Sequence, residues 1–263
     1  MDFYKFAEMH GLMIGSLIMD RWVRVPTQDK PNKKNGAYIW DGISGAVRNW
    51  AVHEKAIPFK SKEPYRPDPL AKAKREKQNQ DRLDRQEKAR QKAVGIVNAV
   101  KEKTHPYLVR KGFNKGYVWN DLLVIPMRIE DKLVGCQLIQ PDGTKRFLTG
   151  QITKGASLKI DNKGRDILCE GYATALSVRR ACKELKKRYT IHVCFSASNM
   201  IEIAKNCKNP LVIADNDPVG IKTAQRIGQY WISDVEGEDF NDAEQRLGTK
   251  AVCHSLSPLL EGL

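Results

Sequence analysis

The second half of the chain has the pattern that most restricts its fold, because short apolar runs alternate with longer amphipathic stretches from Arg165 onward. The apolar runs are DILCE, TIHVCF and PLVIAD, with AVCHSL as a further strand candidate. The amphipathic stretches are ATALSVRRACKELKKR, SNMIEIAKN and VGIKTAQRIGQYW. Such alternation is typical of parallel strands joined by crossover helices. We therefore predict an α/β fold with a parallel sheet over residues 165–263.

Acidic residues follow two of these predicted strands. Glu170 closes the run ILCE, Asp215 closes LVIAD, and Asp217 follows two residues later. Ligands of parallel sheets gather at the carboxyl ends of the strands, and residues i and i+2 of an extended segment face the same way. Hard oxygen ligands without imidazole or thiolate favour Mg²⁺ or Mn²⁺ over zinc. The three carboxylates are therefore predicted to bind Mg²⁺ or Mn²⁺ at one edge of the sheet.

The later run GEDFND adds Glu238, Asp239 and Asp242, and Asp239 is the candidate for an auxiliary metal ligand. Each acidic motif also has a structural interpretation. Asp-Pro-x-Gly is common turn chemistry, Asn-Asp-Ala-Glu can cap a helix, and Glu170 beside Gly171 can stabilise a helix N-terminus. The combination favours a metal site, because clustered carboxylates repel one another unless they share a cation or a proton.

The balance of charges indicates a polyanionic partner. The 263 residues have a formal net charge of +14 and a pI near 9.5, and clustered Lys and Arg gain free energy by displacing counterions from phosphate. Nucleic acid is the first candidate and an anionic membrane surface the second. No apolar run approaches the roughly 20 residues that span a bilayer, and the first residues lack a signal-peptide pattern. We expect a cytoplasmic protein without a membrane partner.

The six cysteines argue against a local zinc site. They are Cys136, Cys169, Cys182, Cys194, Cys207 and Cys253. No two of them have the short spacing with which one turn supplies two thiolates to zinc, and the five histidines are equally scattered. We therefore expect reduced, packed thiols and no zinc.

Composition divides the chain into four parts. Residues 1–59 contain the turn-rich stretch GAYIWDGISGAVRNW and are predicted to form a small, mostly β module. Residues 60–93 are strongly basic and are predicted to form a helical or disordered linker, with no helix before about Leu70 because prolines interrupt its start. This linker is interpreted as a charged spacer or as a direct contact to nucleic acid, and the two roles are compatible.

Residues 94–164 are predicted to form a mixed α+β subdomain. Residues 94–103 are interpreted as a short helix, and the runs LLVIPMRI and KLVGCQLI as a hairpin that turns near Glu130 and Asp131. The run PDGTKRFL supplies a further turn and strand. The α/β region over residues 165–263 completes the chain.

The acidic motifs and their neighbours resemble the Toprim domain of phage and plasmid DNA primases. The matching runs are LCEGYATAL, FSASN, VIADNDPVGIKTAQRIG and GEDFND. Upstream, HPYLVRKG, LLVIPMR, LVGCQLIQPDGTKRFLTG and ITKGASL resemble the segment that precedes Toprim in those primases, so the likeness covers roughly residues 94–248. The run GAYIWDGISGAVRNW is similar, more faintly, to their N-terminal module.

The resemblance implies a Rossmann-like Toprim fold and a primase that makes short oligoribonucleotides on single-stranded DNA by Mg²⁺-dependent nucleotidyl transfer. In that function, Glu170, Asp215 and Asp217 are the catalytic and metal-binding residues. The implied partners are a single-stranded DNA template, ribonucleoside triphosphates, and a separate replicative helicase and DNA polymerase. Phage or plasmid replication in the host cytoplasm is the implied setting.

Three basic residues are assigned a role by the resemblance alone. Lys145, Arg146 and Lys154 fall in the stretch expected to contact template or triphosphate, and their alternative interpretation is plain surface charge.

The sequence departs from the primase pattern in two ways. The N-terminal module offers no four-ligand zinc set, and the chain has no G-x-x-x-x-G-K-[ST] phosphate loop, so unwinding is expected from another protein. Two other functions stay open: a Toprim nuclease acting on DNA or RNA, and a non-catalytic replication accessory module. A Toprim topoisomerase is disfavoured because strand passage needs a larger body.

Overall fold

The computed structural model of the protein describes residues 2–61 and 69–261. Over these residues the chain is mixed α/β, with three β-sheets and eight helices, so the general fold class predicted above is confirmed. The chain divides into two compact units, Met1–Glu76 and Lys77–Leu263. Among the residues described, no helix has the length and apolarity required to cross a membrane.

The first unit contains a four-stranded antiparallel sheet and one helix. Its elements are α1 (Phe3–Met9), β1 (Val23–Val25), β2 (Gly36–Trp40), β3 (Ser44–Asn49) and β4 (Ile57–Lys60), with sheet order β1-β2-β3-β4. The helix packs on the sheet because Phe3 stacks on Trp40, with ring centroids 4.5 Å apart, and joins Tyr38 and Val47 in one core. The sequence predicted short strands here and missed α1.

A long helix, α2 (Pro69–Ala99), follows. The prediction of no helix before about Leu70 falls mostly on residues 62–68, which lie outside the described residues. The separate short helix predicted for residues 94–103 is wrong, because residues 94–99 are the last turns of α2 and Lys101–Thr104 forms a strand, β5. The helix persists because Ala93 and Ile96 are buried against a sheet.

The middle of the chain forms a five-stranded antiparallel sheet in the order β5-β6-β7-β8-β9. Its other elements are α3 (Pro106–Arg110), β6 (Lys115–Trp119), β7 (Leu122–Ile129), β8 (Lys132–Ile139) and β9 (Lys145–Phe147). The pairing of β7 with β8 confirms the predicted hairpin. The two faces of β7 are used differently, because Val124 packs with α2 while Leu123 and Ile125 pack towards the α/β region.

The last part of the chain is an α/β sheet in the order β10-β12-β11-β13-β14. Its elements are β10 (Leu158–Asp161), β11 (Arg165–Cys169), α4 (Tyr172–Glu184), β12 (Tyr189–Val193), α5 (Ala197–Ala204), β13 (Leu211–Ile213), α6 (Pro218–Ile227), β14 (Tyr230–Trp231), α7 (Phe240–Leu247) and α8 (Thr249–Glu261). The four strands β11 to β14 are parallel, and β10 is antiparallel to β12.

Two predicted elements of this region were wrong. The strand candidate AVCHSL lies in α8, where Val252, Cys253 and Leu256 are buried at helical spacing. The helix predicted to continue to Trp231 ends at Ile227, because Gly228 takes a positive φ of 150° and the chain then enters β14.

Helices cover both faces of the α/β sheet. Helices α4, α7 and α8 pack on one face with Ile167, Ile191 and Ile213, while α5 and α6 pack on the other with Leu168 and Val212. From β11 the chain goes to β12 on one side and then crosses to β13 on the other side of β11. The direction in which strands are added to the sheet therefore reverses between β11 and β13. Ligands of such sheets bind outside the carboxyl ends of the strands at this reversal.

Candidate metal centre

Glu170 and Asp215 lie on either side of the point where strand order reverses. Cys169, the last residue of β11, is paired with Ile213, the last residue of β13. Glu170 follows directly, and Asp215 comes two residues after Ile213. The register of the sheet therefore brings these two predicted site residues to the same edge.

Asp217 is held at this edge by the turn that starts α6. Its backbone N–H donates to the carbonyl oxygen of Asp215 at 2.8 Å, and its Oδ1 accepts from the N–H of Gly220 at 2.6 Å. A Cβ atom at position 220 would lie 2.3 Å from the carbonyl oxygen of Asp215, so only glycine fits there. The structural interpretation of DNDPVG, a turn and helix cap, is therefore correct, and the same turn places Asp217 beside Asp215.

The acidic loop of GEDFND is joined to this turn by backbone hydrogen bonds. The N–H of Asn216 donates to the carbonyl of Glu238, and the N–H of Gly237 donates to the carbonyl of Asn216. Asp239 caps α7 in a reciprocal capping box with Asp242. These contacts explain how a residue far along the sequence reaches the carboxyl edge of β13.

Within the acidic loop, two of the three carboxylates have cationic partners. Arg246 donates from Nε to Glu238 at 2.8 Å, and Lys111 Nζ lies 2.7 Å from Asp242 Oδ1. Asp239, by contrast, acts on Asp215, since its charge raises the pKa of that residue. Glu238 and Asp242 thus form ion pairs with basic side chains, whereas Asp239, the predicted auxiliary ligand, acts on the carboxylate of Asp215.

The protonation of Asp215 is strongly perturbed. Burial is the largest cause, followed by the charges of Asp239, Glu170 and Asp217, and together they raise its pKa to about 7 despite the opposing effect of Lys145. The pKa of Glu170 is also raised, first by burial and then by Asp217. Lys145 and a backbone hydrogen bond from Ala197 oppose that rise. All four predicted carboxylates therefore interact electrostatically, but among the described residues no three of them bring ligand atoms within 4.8 Å of one another.

The residues at this edge fit a hard divalent cation. Oδ1 of Asp215 is buried and has no hydrogen-bond partner among the described residues. A buried polar atom without a partner is rare in folded proteins, and a cation would both satisfy it and relieve the repulsion between the carboxylates. The donor set consists of carboxylate oxygens, which suits Mg²⁺ or Mn²⁺.

The three predicted basic residues are placed differently. Lys145 begins β9, and its charge lowers the pKa of both Glu170 and Asp215. Arg146 is the next residue of the strand, so its side chain projects from the opposite face. Lys154 is exposed on a loop, with its Nζ 3.8 Å from Glu202.

Two residues that shape this edge were not predicted from the sequence as site residues. Asn199 is buried and donates from its amide to the carbonyls of Ala156 and Cys194, while its oxygen accepts from the N–H of Gly155. It thereby fixes the loop that carries Lys154. Phe195 has a positive φ of 68°, which is unusual for an aromatic residue, and its N–H donates to the carbonyl of Glu170. The quoted run FSASN contains both residues.

Comparison with known proteins does not give this chain a family. No protein-family model matches it, and no curated protein matches its sequence. The function proposed below therefore depends on the geometry of the site and on the motifs quoted above.

Proposed function

We propose that this protein is a DNA primase of the Toprim type, which joins ribonucleotides on a single-stranded DNA template. The observation that carries the proposal is the convergence of Glu170, Asp215, Asp217 and Asp239 at one sheet edge, with a buried Asp215 oxygen that lacks a partner. A net charge of +14 on the same chain supports a polyanionic substrate.

The metal would be held by Asp215, Asp217 and Asp239. When bound, Mg²⁺ neutralises charge on a triphosphate and on the oxygens of an in-line displacement. The reaction joins a ribose 3′-hydroxyl oxygen to the α-phosphorus of the incoming nucleotide, and the bond to pyrophosphate breaks. The hydroxyl proton must leave as the new bond forms.

Glu170 is proposed to accept that proton or to serve as a further ligand. Burial raises the pKa of its carboxyl group above the usual range, which makes it a stronger base than an exposed glutamate. The backbone N–H of Ala197 holds the carboxylate from the start of α5, which limits its motion.

Lys145 is proposed to bind the triphosphate. It is the cation that lowers the pKa of both Glu170 and Asp215, so its ammonium group lies on the side of the carboxylates. A phosphate group beside the metal would meet this charge directly. Arg146 faces the other side of β9 and is proposed to contact the template backbone.

The test is incorporation of labelled ribonucleotides on single-stranded DNA with Mg²⁺, compared with cleavage of labelled DNA and RNA in the same buffer. Glu170→Gln and Asp215→Asn are expected to lower incorporation by about 10²-fold or more, because positioned acid–base and charge-stabilising groups contribute that much. Glu236→Gln is the matched control, since Glu236 is exposed and directly precedes the acidic loop.

A second pair of variants separates the two faces of β9. Lys145→Ala is expected to raise the KM for nucleotide, whereas Arg146→Ala is expected to leave that KM close to the wild-type value. Cleavage without chain growth would replace the primase proposal with a nuclease. If the protein catalysed neither reaction but still bound single-stranded DNA, the result would indicate an accessory module.

A further inference from the structure

Three side chains with metal-binding chemistry meet on the α5 and α6 face of the α/β sheet, away from the carboxylate edge. They are Asp166 in β11, His192 in β12 and Cys207 shortly after α5. One ligand atom from each lies within 4.8 Å of the other two. Nε2 of His192 is 2.8 Å from Oδ1 of Asp166. Asp166 stands near the start of β11, whereas Glu170 follows its end, so this cluster is separate from the candidate metal centre.

The cluster is accessible without being fully exposed. The side chains of His192 and Asp166 are 13% and 28% exposed. Cys207 is half-buried, while the other five cysteines are buried and all six are free thiols. Cys207 also borders a surface cleft that Arg165 and Gln229 line. Solvent and small ions can therefore reach the cluster from that cleft.

Two cations near the cluster, Lys159 and Arg165, have other partners. Lys159 lies opposite His192 in the sheet, and its Nζ is 3.5 Å from Asp161. Arg165 donates to the backbone carbonyls of Asn209 and Leu259 and to the side chain of Gln229. Lys159 and Arg165 therefore form no ion pair with the ligand atoms of the cluster, although the charge of Lys159 acts to lower the pKa of Cys207.

We propose that Asp166, His192 and Cys207 bind Zn²⁺ or a similar borderline divalent cation. Carboxylate, imidazole and thiolate are the three protein ligands of zinc, and a fourth position can be filled by water. Magnesium is excluded by the thiolate and the imidazole, which hard cations do not prefer. The hydrogen bond between His192 and Asp166 would be exchanged for two bonds to the metal.

The required movement is small. Zinc bonds of about 2.0–2.3 Å in a tetrahedron place ligand atoms roughly 3.3–3.8 Å apart. One distance in the cluster, 2.8 Å, is shorter than this range and the others do not exceed 4.8 Å, so the ligand atoms need to shift by about 1 Å or less. The bound ion would join β11, β12 and the segment after α5, and this role does not depend on the proposed primase activity.

The first experiment is titration of the metal-stripped, full-length protein with Co²⁺, which reports thiolate ligation by a charge-transfer absorption band. One equivalent per chain is expected to produce the band, and Zn²⁺ is expected to abolish it by displacement. Cys207→Ser is expected to remove the band, and His192→Gln and Asp166→Asn to weaken Co²⁺ binding by at least tenfold. Controls are His254→Gln, a substitution of an exposed histidine in α8, and Glu170→Gln at the other site. Both should keep the band.

A second measurement needs no substitution. In the native protein, alkylation is expected to modify Cys207 first because the other thiols are buried, and one equivalent of Zn²⁺ is expected to slow that modification at least tenfold. Absence of the cobalt band, a band that survives Cys207→Ser, or alkylation unaffected by Zn²⁺ would each overturn the proposal. Circular dichroism of each metal-free variant checks that loss of binding does not come from unfolding.

Discussion

The carboxyl group of Asp215 is buried beside Asp239, Glu170 and Asp217, and its pKa is raised from 3.8 to about 7. In the unfolded chain this group loses its proton near pH 4, whereas in the metal-free folded protein it keeps the proton until about pH 7. Between these values the folded state binds more protons than the unfolded state. The free energy of unfolding must therefore fall as pH rises through this window.

Substitution of Asp215 by Asn should remove that loss of stability. In EDTA at pH 8, the free energy of unfolding of Asp215→Asn is expected to exceed that of the wild type by roughly 2–4 kcal/mol. Each unit by which folding raises the pKa corresponds to about 1.36 kcal/mol. At pH 5 the difference should be much smaller. Hydrogen exchange of the β11 and β13 amides measures the effect within the second unit. An Asn variant that is less stable than wild type at pH 8 would contradict the assigned electrostatics.

Addition of Mg²⁺ supplies the control for this prediction. A cation that binds the carboxylates should stabilise the wild type at pH 8 in proportion to its concentration above the Kd. It should stabilise Asp215→Asn much less. Equal stabilisation of both proteins would show that Mg²⁺ binds elsewhere.

The sequence located Glu170, Asp215 and Asp217 because each follows an apolar run, and the ends of parallel strands meet at one edge. It could not decide between capping and metal binding for Asp217, and the structure shows why. The capping contact to Gly220 is made, and the same turn keeps the Asp217 charge beside its neighbours.

Other contacts depend on folding and left no local signal. His192 is 26 residues from Asp166 in sequence, so the cluster proposed to bind zinc has no short motif. The sequence also gives no indication of the positive φ of Phe195, because bulky residues such as phenylalanine rarely adopt that conformation.

At the scale of secondary-structure elements, α2 changes its environment along its length. The turns from Lys77 to Lys88 are almost wholly exposed, whereas Ala89, Ala93 and Ile96 are buried at helical spacing. This last part packs with Val124 and neighbouring residues of the antiparallel sheet. The C-terminal turns therefore anchor α2 on the second unit.

Shortening a buried side chain in these C-terminal turns should destabilise the second unit. Ile96→Ala is expected to lower the free energy of unfolding of the second unit by about 2–5 kcal/mol, since a buried side chain leaves a cavity. Leu83→Ala is the matched control, because Leu83 is 43% exposed in the same helix and should change stability by less than about 0.5 kcal/mol. Denaturant unfolding of both variants measures this. Equal losses would mean that α2 is anchored along its whole length.

The boundaries of α2 and α8 explain which elements could be predicted. Hydrophobic periodicity identified β7, β8, β11 and β13, where buried runs are bounded by turn residues. It failed where composition changes inside one helix, as at residue 93 of α2. It also failed for the short apolar run AVCHSL, which is compatible with a strand until the rest of α8 is considered.

On the scale of the whole molecule, the many basic side chains lie outside the sheet edge at which the four carboxylates meet. The net charge is +14 even though four carboxylates converge at the ends of β11 and β13. The exposed part of α2 carries Lys77, Arg82, Lys88 and Lys92. In the proposed primase, a nucleic acid strand would gain binding energy from such basic surfaces while its reacting end meets the carboxylates.

Single-strand binding should accordingly depend strongly on salt. If about six phosphates are neutralised, the slope of log K against log salt is roughly −4, and affinity for an oligonucleotide falls on the order of 10²-fold between 50 and 200 mM salt. Replacing Arg82, Lys88 and Lys92 by Gln is expected to reduce the slope by about 2.

The matched control replaces the exposed lysines Lys208, Lys222 and Lys250 and should change the slope by less than about 1. Fluorescence anisotropy across a salt series measures both sets. Equal changes from both sets would mean that α2 makes no special contact, and a flat salt dependence of the wild type would remove phosphate contacts as the source of affinity.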